Sequence, residues 1–185
     1  INQETHMENE LKDFLLKNGF SLLIEQINES NDSKYNPLTL AVREKNLLII
    51  THLIQTGCDV DAFDALGNTA LYLAVSMKSM EIIEHLIKNE ANIYLPVLND
   101  DEESAFDAAI RLEIDFEVWQ FYVKHLKYKA DHGCRDSQYE YALRSMRGDG
   151  VSQDYKIAVK YLQMAAIQKH ANALYEYANC YEYGV

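Results

Sequence analysis

Apolar residues along most of this chain recur at the spacing of short amphipathic helices. Residues 64–93 show this most clearly, with two successive runs of apolar positions: Leu71, Ala74 and Val75, then Ile82, Ile83, Leu86 and Ile87. Gly67 suits a left-handed turn before the first run, and Thr69 and Ser79 suit the N-cap positions of two helices. Isolated helices shorter than roughly 12 residues are marginal in water. The pair is therefore expected to stack on copies of itself.

The same pattern recurs at nearly constant intervals along the chain. An offset of 33 residues places Leu38 on Leu71 and His52 on His85. A third copy follows at an offset of 35 residues, which places Phe106 on Leu71 and two extra residues in the turn. Stacked units of this kind bury a continuous core, because each covers the apolar face of the next.

This order of residues resembles an ankyrin repeat. The pattern Asp-x-x-Gly-x-Thr-x-Leu-x-x-Ala begins at Asp64, and Asn36-Pro37-Leu38 stands where the family has Thr-Pro-Leu. The resemblance implies helix-turn-helix repeats whose hairpins and first helices form a concave binding face. The family's usual histidine is replaced by Thr39, Tyr72 and Asp107, which we expect at the edge of that face.

The N-terminal segment has helix-pair periodicity without the repeat signature. Residues 8–28 predict two short amphipathic helices separated by Asn18-Gly19, with these apolar residues: Leu11, Phe14 and Leu15, then Leu22, Leu23 and Ile27. The Thr-x-Leu and Ala positions are missing. We therefore predict a degenerate N-terminal capping repeat over residues 1–30.

The C-terminal residues follow a different pattern, which resembles a Sel-one-like repeat of the tetratricopeptide-related class. Seven residues between 137 and 166 occupy pattern positions: Gly148, Gly150, Val151, Asp154, Ala158, Ala165 and Ala166. A second copy begins 36 residues after Ser137 and contains Ala173, Tyr175, Tyr177, Ala178 and Gly184. Alanines allow helices to approach closely while tyrosines fill the gaps.

These patterns predict an all-α chain, an α-solenoid of ankyrin-like repeats continuing into Sel-one-like repeats. Residues 31–130 would form three ankyrin-like repeats, and residues 131–185 one full and one truncated Sel-one-like repeat. No Pro-rich or Ser-rich linker separates them, so one continuous superhelix is expected. The polar, acidic start is not a secretory signal, and we expect the chain to be a fragment of a longer protein.

Charge narrows the range of partners. The formal net charge is −12, from 17 basic and 29 acidic residues, which opposes binding to nucleic acid or an anionic membrane. No apolar run is long enough to enter a bilayer. The three unclustered cysteines favour reduced thiols in a cytosol, that of the source cell or of a host into which the protein is delivered. A protein with a basic surface is the expected partner.

Candidate chemistry is sparse. Asp131-His132-Gly133-Cys134 is the one local grouping that suggests a nucleophile, and a cysteine enzyme there would need a thiol with a depressed pKa. His52 and His85 would lie about 10 Å apart on stacked helices, too far to share a metal ion. We predict a non-enzymatic protein without metal, cofactor or small-molecule substrate.

The predicted binding site is the concave face together with the long hairpin at residues 94–103. It comprises Phe63, Ala65, Leu66, Asn68, Tyr72, Ser76, Met77, Tyr94, Val97, Leu98, Asp100, Asp101, Glu102, Asp107 and Arg111. The hairpin has two interpretations: its apolar residues fold back on the repeat beside a solvated acidic loop, or they anchor a basic partner. Two roles remain open, the targeting part of a larger effector or adaptor, and an acidic immunity or inhibitor protein that neutralises a basic toxin or enzyme.

Overall fold

A computed structural model describes residues 2–22, 26–31, 33–98 and 102–183. Across these ranges the chain forms ten α-helices and no strand beyond an isolated bridge between Pro96 and Ser104. The helices are α1 (Asn2–Lys17), α2 (Pro37–Arg43), α3 (Leu47–Gln55), α4 (Ala70–Ser76), α5 (Met80–Lys88), α6 (Ala105–Arg111), α7 (Asp115–Asp131), α8 (Arg135–Arg147), α9 (Tyr155–Ile167) and α10 (Ala171–Tyr183). Two compact units result, residues 1–118 (the first unit) and residues 119–185 (the second unit).

The first unit is a stack of antiparallel helix pairs. Helix α2 packs against α3 and α4 against α5, while α2, α4 and α6 stack on one another. Side-chain caps begin these inner helices: Asn36 accepts from the Thr39 amide (2.8 Å), Thr69 from the Tyr72 amide (3.2 Å) and Ser104 from the Asp107 amide. The capping residues are spaced by 33 and 35 positions, so the repeat offsets predicted from the sequence are confirmed.

Backbone hydrogen bonds join successive hairpin tips in the same register. The Ala65 amide donates to the Lys34 carbonyl oxygen (2.9 Å), and the Leu98 amide donates to the Gly67 carbonyl oxygen (2.7 Å). The second bond lies 33 residues beyond the first, whereas the cap at Ser104 lies 35 beyond its counterpart. The two extra residues of the last hairpin therefore fall between Leu98 and Ser104.

Helix α1 corrects the expectation of a helix pair at the N-terminus. It ends before Asn18-Gly19, as predicted, and packs on α3. Like α3, which is followed by Gly57, α1 is followed by a glycine with positive φ, Gly19, and α1 packs on α3, so it takes the place of an outer helix. Residues 20–22 and 26–31 contain no α-helix, and Leu23 lies outside the described residues. Leu22 and Ile27 themselves therefore lie outside any α-helix, while residues 23–25 of the predicted second helix lie outside the described residues.

The predicted cap at Ser79 is correct in position but wrong in chemistry. Ser79 occupies the N-cap of α5, yet its hydroxyl makes no capping bond and is buried without a hydrogen-bond partner. At the equivalent position of the preceding repeat, Asn46 caps α3 by accepting from the Ile49 amide (3.1 Å). The first turn of α5 therefore depends on packing rather than on its cap.

The second unit repeats with a longer period. Helices α8 and α10 begin 36 residues apart, and so do the bonds that precede them, Cys134 amide to Lys129 oxygen (3.0 Å) and His170 amide to Ala165 oxygen (3.1 Å). Small and aromatic side chains dominate its core: Val123, Leu126, Ala130, Tyr141, Ala142, Tyr161, Leu162, Ala165, Ala166, Ala173 and Cys180.

The loop between α8 and α9 depends on glycine. Gly150 has φ +72°, and a Cβ built there would overlap the indole ring of Trp119. Arg144 covers the same ring at 4.3 Å from its centroid. The glycine is therefore needed both for its backbone conformation and for the close approach of the tryptophan.

Candidate functional site

The structure separates the predicted site residues by exposure. Eight are exposed: Ala65, Leu66, Ser76, Tyr94, Leu98, Glu102, Asp107 and Arg111. Phe63 and Met77 are half-buried, while Asn68, Tyr72 and Val97 are buried. Asp100 and Asp101 lie outside the described residues. The exposed members belong to the hairpins and to the inner helices α4 and α6.

The buried members support the surface rather than form it. Val97 is 2% exposed, and its amide donates to the Glu103 carbonyl oxygen (3.1 Å). The Asn68 amide donates to Asp64 Oδ1 (3.0 Å), which closes the preceding hairpin turn. Thr39 is fully buried and Tyr72 is 6% exposed, so their expected place at the edge of the binding face needs correction. Of the three positions that replace the family's histidine, Asp107 alone is exposed.

Apolar side chains project from neighbouring hairpin tips. Leu98 is 70% exposed and Leu66 is 38% exposed. The hydrogen bond from the Leu98 amide to the Gly67 carbonyl oxygen holds the two tips side by side (2.7 Å). Exposed leucines on adjacent, backbone-bonded tips are available to a binding partner without rearrangement.

A ladder of side-chain bonds along the hairpins ends at Tyr94. Asn28 Oδ1 accepts from the Asp59 amide (3.0 Å), and 33 residues later Asp61 Oδ1 accepts from the Asn92 amide (2.9 Å). The next position in this series is Tyr94, whose ring instead meets the Phe106 ring edge-on at 5.6 Å. The last hairpin thus replaces a structural acceptor with an aromatic ring that is 44% exposed.

Glu103 fixes this hairpin to two inner helices. Its Oε1 accepts from Tyr72 Oη on α4 (3.1 Å) and from Arg111 Nη2 on α6 (2.5 Å), and its Oε2 accepts from Arg111 Nε (3.3 Å). The hydrogen bond from Arg111 holds the pKa of Glu103 below its usual value. Glu103 therefore acts as a charged clamp on the hairpin that carries Leu98.

Asp107 belongs to a capping box. Its Oδ2 accepts from the Ser104 hydroxyl (2.6 Å) and the Ser104 amide (2.9 Å), which lowers the pKa of Asp107. Glu102 remains exposed beside the clamp. The Asp107 carboxylate therefore holds the local backbone, whereas the Glu103 carboxylate holds the Tyr72 and Arg111 side chains.

The two units differ in charge. Residues 1–118 contain 22 acidic and 8 basic residues, a net charge of −14. Residues 119–185 contain 7 acidic and 9 basic residues, a net charge of +2. The acidic character of the chain therefore resides in the unit that carries the hairpins.

Asp131, His132 and Cys134 each bond to a different partner instead of to one another. Cys134 Sγ accepts from Ser137 Oγ (3.2 Å), which lowers the pKa of the thiol, while His132 Nδ1 lies 2.8 Å from the Tyr128 carbonyl oxygen. Asp131 Oδ2 accepts from Lys127 Nζ (2.6 Å). Among the described residues no hydrogen bond joins Cys134 to His132. The pKa of the thiol is lowered, but in the described part of the chain no adjacent base completes a nucleophilic site.

The two repeated histidines have structural surroundings. His85 Nε2 lies 3.2 Å from Thr51 Oγ1, and burial lowers the pKa of His85. His52 is 7% exposed. In the parts of the chain that the structure describes, no group of three His, Cys, Asp or Glu residues could hold a metal ion. No helix in those parts is long and apolar enough to cross a membrane.

Comparison with known proteins identifies the repeats. The profile of the family described as "Ankyrin repeats (3 copies)" matches residues 8–113. Alpha-latrotoxin-Lh1a of Latrodectus hasselti is 42% identical over 60 residues, which are 32% of this chain and 4% of the toxin. NF-kappa-B inhibitor alpha of Gallus gallus is 35% identical over 63 residues, 34% of this chain and 20% of that protein. The match therefore spans a small part of each relative. Because the family profile covers more than half of its length, the chain belongs to the ankyrin-repeat family, whose repeats form protein–protein interaction modules.

Proposed function

We propose that the first unit binds a partner protein with a basic surface. The contact area is the hairpin surface, defined by Ala65, Leu66, Tyr94, Leu98, Glu102, Asp107 and Arg111. The observation that carries the proposal is the pair of exposed leucines on adjacent tips of a unit with net charge −14. An apolar centre with a charged rim is the usual composition of a protein interface.

The proposal is tested by comparing capture of partners by the intact chain and by matched variants. Tyr94→Ala and Leu98→Ala truncate exposed side chains of the hairpin surface, whereas Leu48→Ala truncates a 43% exposed leucine on the outer helix α3. We expect the first two to weaken binding of the purified partner about tenfold or more and Leu48→Ala to leave it unchanged. Equal binding by all three variants would place the interface elsewhere.

Within this function, the first unit would be the targeting part of a larger effector or adaptor. It would act in the cytosol of its own cell or of a host cell. The partner's surface should then be apolar as well as charged. On this proposal most of the affinity comes from the apolar contact at Leu98, which salt does not screen. Raising the salt concentration should therefore weaken binding less than Leu98→Ala does.

An acidic inhibitor of a basic toxin or enzyme is the second candidate. The charge of the first unit favours it, and so does the similarity to a chicken protein named as an inhibitor of NF-kappa-B. Electrostatic steering makes the association of oppositely charged proteins fast at low salt. An association rate that falls steeply with added salt, measured on the captured partner, would favour the inhibitor over the targeting module.

We further propose that the second unit consists of Sel-one-like repeats. The 36-residue spacing of α8 and α10, the left-handed Gly148 after α8 and the Gly150 contact with Trp119 support this assignment. Its role would be to extend the repeat scaffold rather than to supply the hairpin surface. Deleting residues 132–185 should then leave partner binding by residues 1–131 intact, provided that this shorter chain folds by circular dichroism.

A further inference from the structure

A polar pocket lies at the N-terminal end of the first unit. It has a volume of about 460 Å³ and is lined by the end of α1, the turn before α2 and the exposed side of α2. Its polar lining includes Lys17, Asn18, Asn31, Ser33, Tyr35 and Arg43. Ligand pockets in proteins commonly enclose roughly 300–1,000 Å³, so this one has room for a side chain or a small molecule.

The turn that forms one wall is held by Asn31. Its Nδ2 donates to the Asn18 carbonyl oxygen (2.9 Å), which ties the turn to the end of α1. Its Oδ1 accepts from the Tyr35 amide (3.2 Å), and its own amide donates to the Tyr35 carbonyl oxygen (2.8 Å). These bonds hold Asn31 and Tyr35 in place on this side of the pocket.

The end of α1 is compatible with a negative ligand. Free carbonyl groups at a helix C-terminus repel anions. Here the Phe14 oxygen accepts from both the backbone and the side chain of Asn18 (3.2 and 2.9 Å). The Leu16 oxygen accepts from the Gly19 amide (3.2 Å), and Asn31 covers the Asn18 oxygen. These carbonyl groups are thus engaged within the protein.

Two exposed cations line the pocket. The Arg43 guanidinium lies over the Tyr35 ring at 4.5 Å, which orients it, and Lys17 stands at the end of α1. Within the described ranges neither side chain forms an ion pair with a carboxylate. The equivalent arginine two repeats later, Arg111, is instead paired with Glu103. Arg43 and Lys17 thus concentrate positive charge in an otherwise strongly acidic unit.

We propose that this Lys17–Arg43 pocket binds the carboxylate of a Glu or Asp side chain presented by the partner protein. The inference rests on the proposed function and adds a second contact point to it. Arginine's planar fork matches a carboxylate with two parallel hydrogen bonds. The net charge of −14 repels free anions, most strongly multiply charged ones such as phosphate. A carboxylate carried on a mainly basic partner avoids this repulsion.

The test is a chemical-shift titration of the ¹⁵N-labelled 185-residue chain at about 0.15 M salt, which screens the repulsion between the acidic unit and a free anion. The probes are N-acetyl-glutamic acid N-methylamide, its uncharged glutamine analogue and inorganic phosphate. We expect the glutamate derivative to shift the amide signals of Asn31 and Ser33 and the Nε signal of Arg43. Arg43→Gln should raise the dissociation constant about tenfold or more, because it removes a charge-assisted pair of hydrogen bonds.

Lys12→Gln is the matched control, since it removes an exposed cation from the same helix as Lys17 at a position that does not line the pocket. It should leave the titration unchanged. Equal shifts with the glutamine analogue, or undiminished binding by Arg43→Gln, would overturn the proposal. Tighter binding of phosphate than of the glutamate derivative would overturn the assignment to a carboxylate. Both variants replace exposed side chains, and circular dichroism establishes that they are folded.

The titration is independent of partner capture. Loss of the partner in Leu98→Ala, combined with no response to the glutamate derivative, would refute the pocket while leaving the proposed function intact. A pocket that binds the derivative while all hairpin variants retain the partner would instead refute the hairpin surface.

Discussion

Both units are built from packed helices, but they use different side chains to pack them. In the first unit, polar residues cap the inner helices and join successive hairpins, and the apolar core is largely aliphatic, with Ile50, Leu53, Leu71, Ile83, Leu86 and Ile87 fully buried. In the second, alanines bring helices together, aromatic rings fill the remaining space, and hairpins are absent from the described residues. The buried Gln138 joins Ala130 of α7 (3.0 Å) and Gln168 beyond α9 (2.8 Å). The hairpins expose side chains that a partner can contact, whereas close helix packing buries the small residues of the second unit.

The largest expected effect follows from the tight contact in the second unit. Gly150→Ala would force its Cβ into the Trp119 indole and strain a backbone with positive φ. We expect it to lower the free energy of unfolding by about 2–4 kcal/mol. Urea unfolding followed by the fluorescence of Trp119, the one tryptophan in the sequence, measures this change.

Gly133→Ala separates the backbone strain at positive φ from the steric overlap with Trp119. Gly133 also has positive φ, +93°, but a Cβ there would meet nothing within 4 Å. The substitution should cost only the backbone strain, about 1 kcal/mol. Equal losses for Gly150→Ala and Gly133→Ala would show that contact with Trp119 is unimportant.

The next effect concerns the clamp in the first unit. Glu103→Ala removes the acceptor shared by Tyr72 and Arg111 and leaves the mostly buried Tyr72 hydroxyl without that partner. The expected loss of stability is about 1–2 kcal/mol, and Tyr72→Phe, which removes one bond, should lose about 1 kcal/mol or less. Chemical denaturation of both variants provides the comparison, and a larger loss in Tyr72→Phe would contradict the clamp.

The stability that the Glu103 clamp contributes should also depend on pH. Arg111 lowers the pKa of Glu103 in the folded protein, so the carboxylate contributes stability above its unfolded pKa, and this contribution is lost as the pH falls through the folded pKa. The stability difference between the native chain and Glu103→Ala should therefore be full near pH 6 and shrink toward about pH 3. A difference that stays constant over this range would rule out an ionic contribution from Glu103.

Two serines at helix N-caps give a smaller contrast. Ser104 forms a capping box with Asp107, so Ser104→Ala should cost about 1 kcal/mol. Ser79 occupies an N-cap without a side-chain bond, and its hydroxyl is buried and unpaired, so Ser79→Ala should be neutral or slightly stabilising. Thermal unfolding of the two variants distinguishes them, and equal losses would contradict the difference in capping.

These contrasts indicate what the sequence can predict. The repeat offsets follow from the apolar pattern that recurs along the chain, and the cap at Thr69 follows from residues within one turn. The burial of Val97 does not, since it depends on how the inserted residues return to the bridge at Ser104. Leu22 and Ile27 have helical spacing, yet neither residue lies in an α-helix.

The two proposed surfaces were predictable to different degrees. The hairpin surface combines residues that recur at repeat positions, so the repeat pattern places most of them. The Lys17–Arg43 pocket brings together residues 26 positions apart that share no motif. Only the position of α1 as an outer helix beside the first hairpin places them together. The contact between the Arg43 guanidinium and the Tyr35 ring, which orients this cation, could not be predicted from the sequence.

The smallest expected effect concerns thiols in the two units. Burial raises the pKa of Cys58 in the first unit to about 12, whereas the Ser137 hydroxyl lowers the pKa of Cys134 in the second. Iodoacetamide at neutral pH should therefore modify Cys134 ahead of Cys58, because the thiolate is the reactive form. Ser137→Ala should raise the pKa of Cys134 and slow its alkylation a few-fold, as mass spectrometry of timed samples would measure. Faster modification of Cys58 would mean that the first unit opens readily in solution. An unchanged rate in Ser137→Ala would show that this hydrogen bond does not control the thiol.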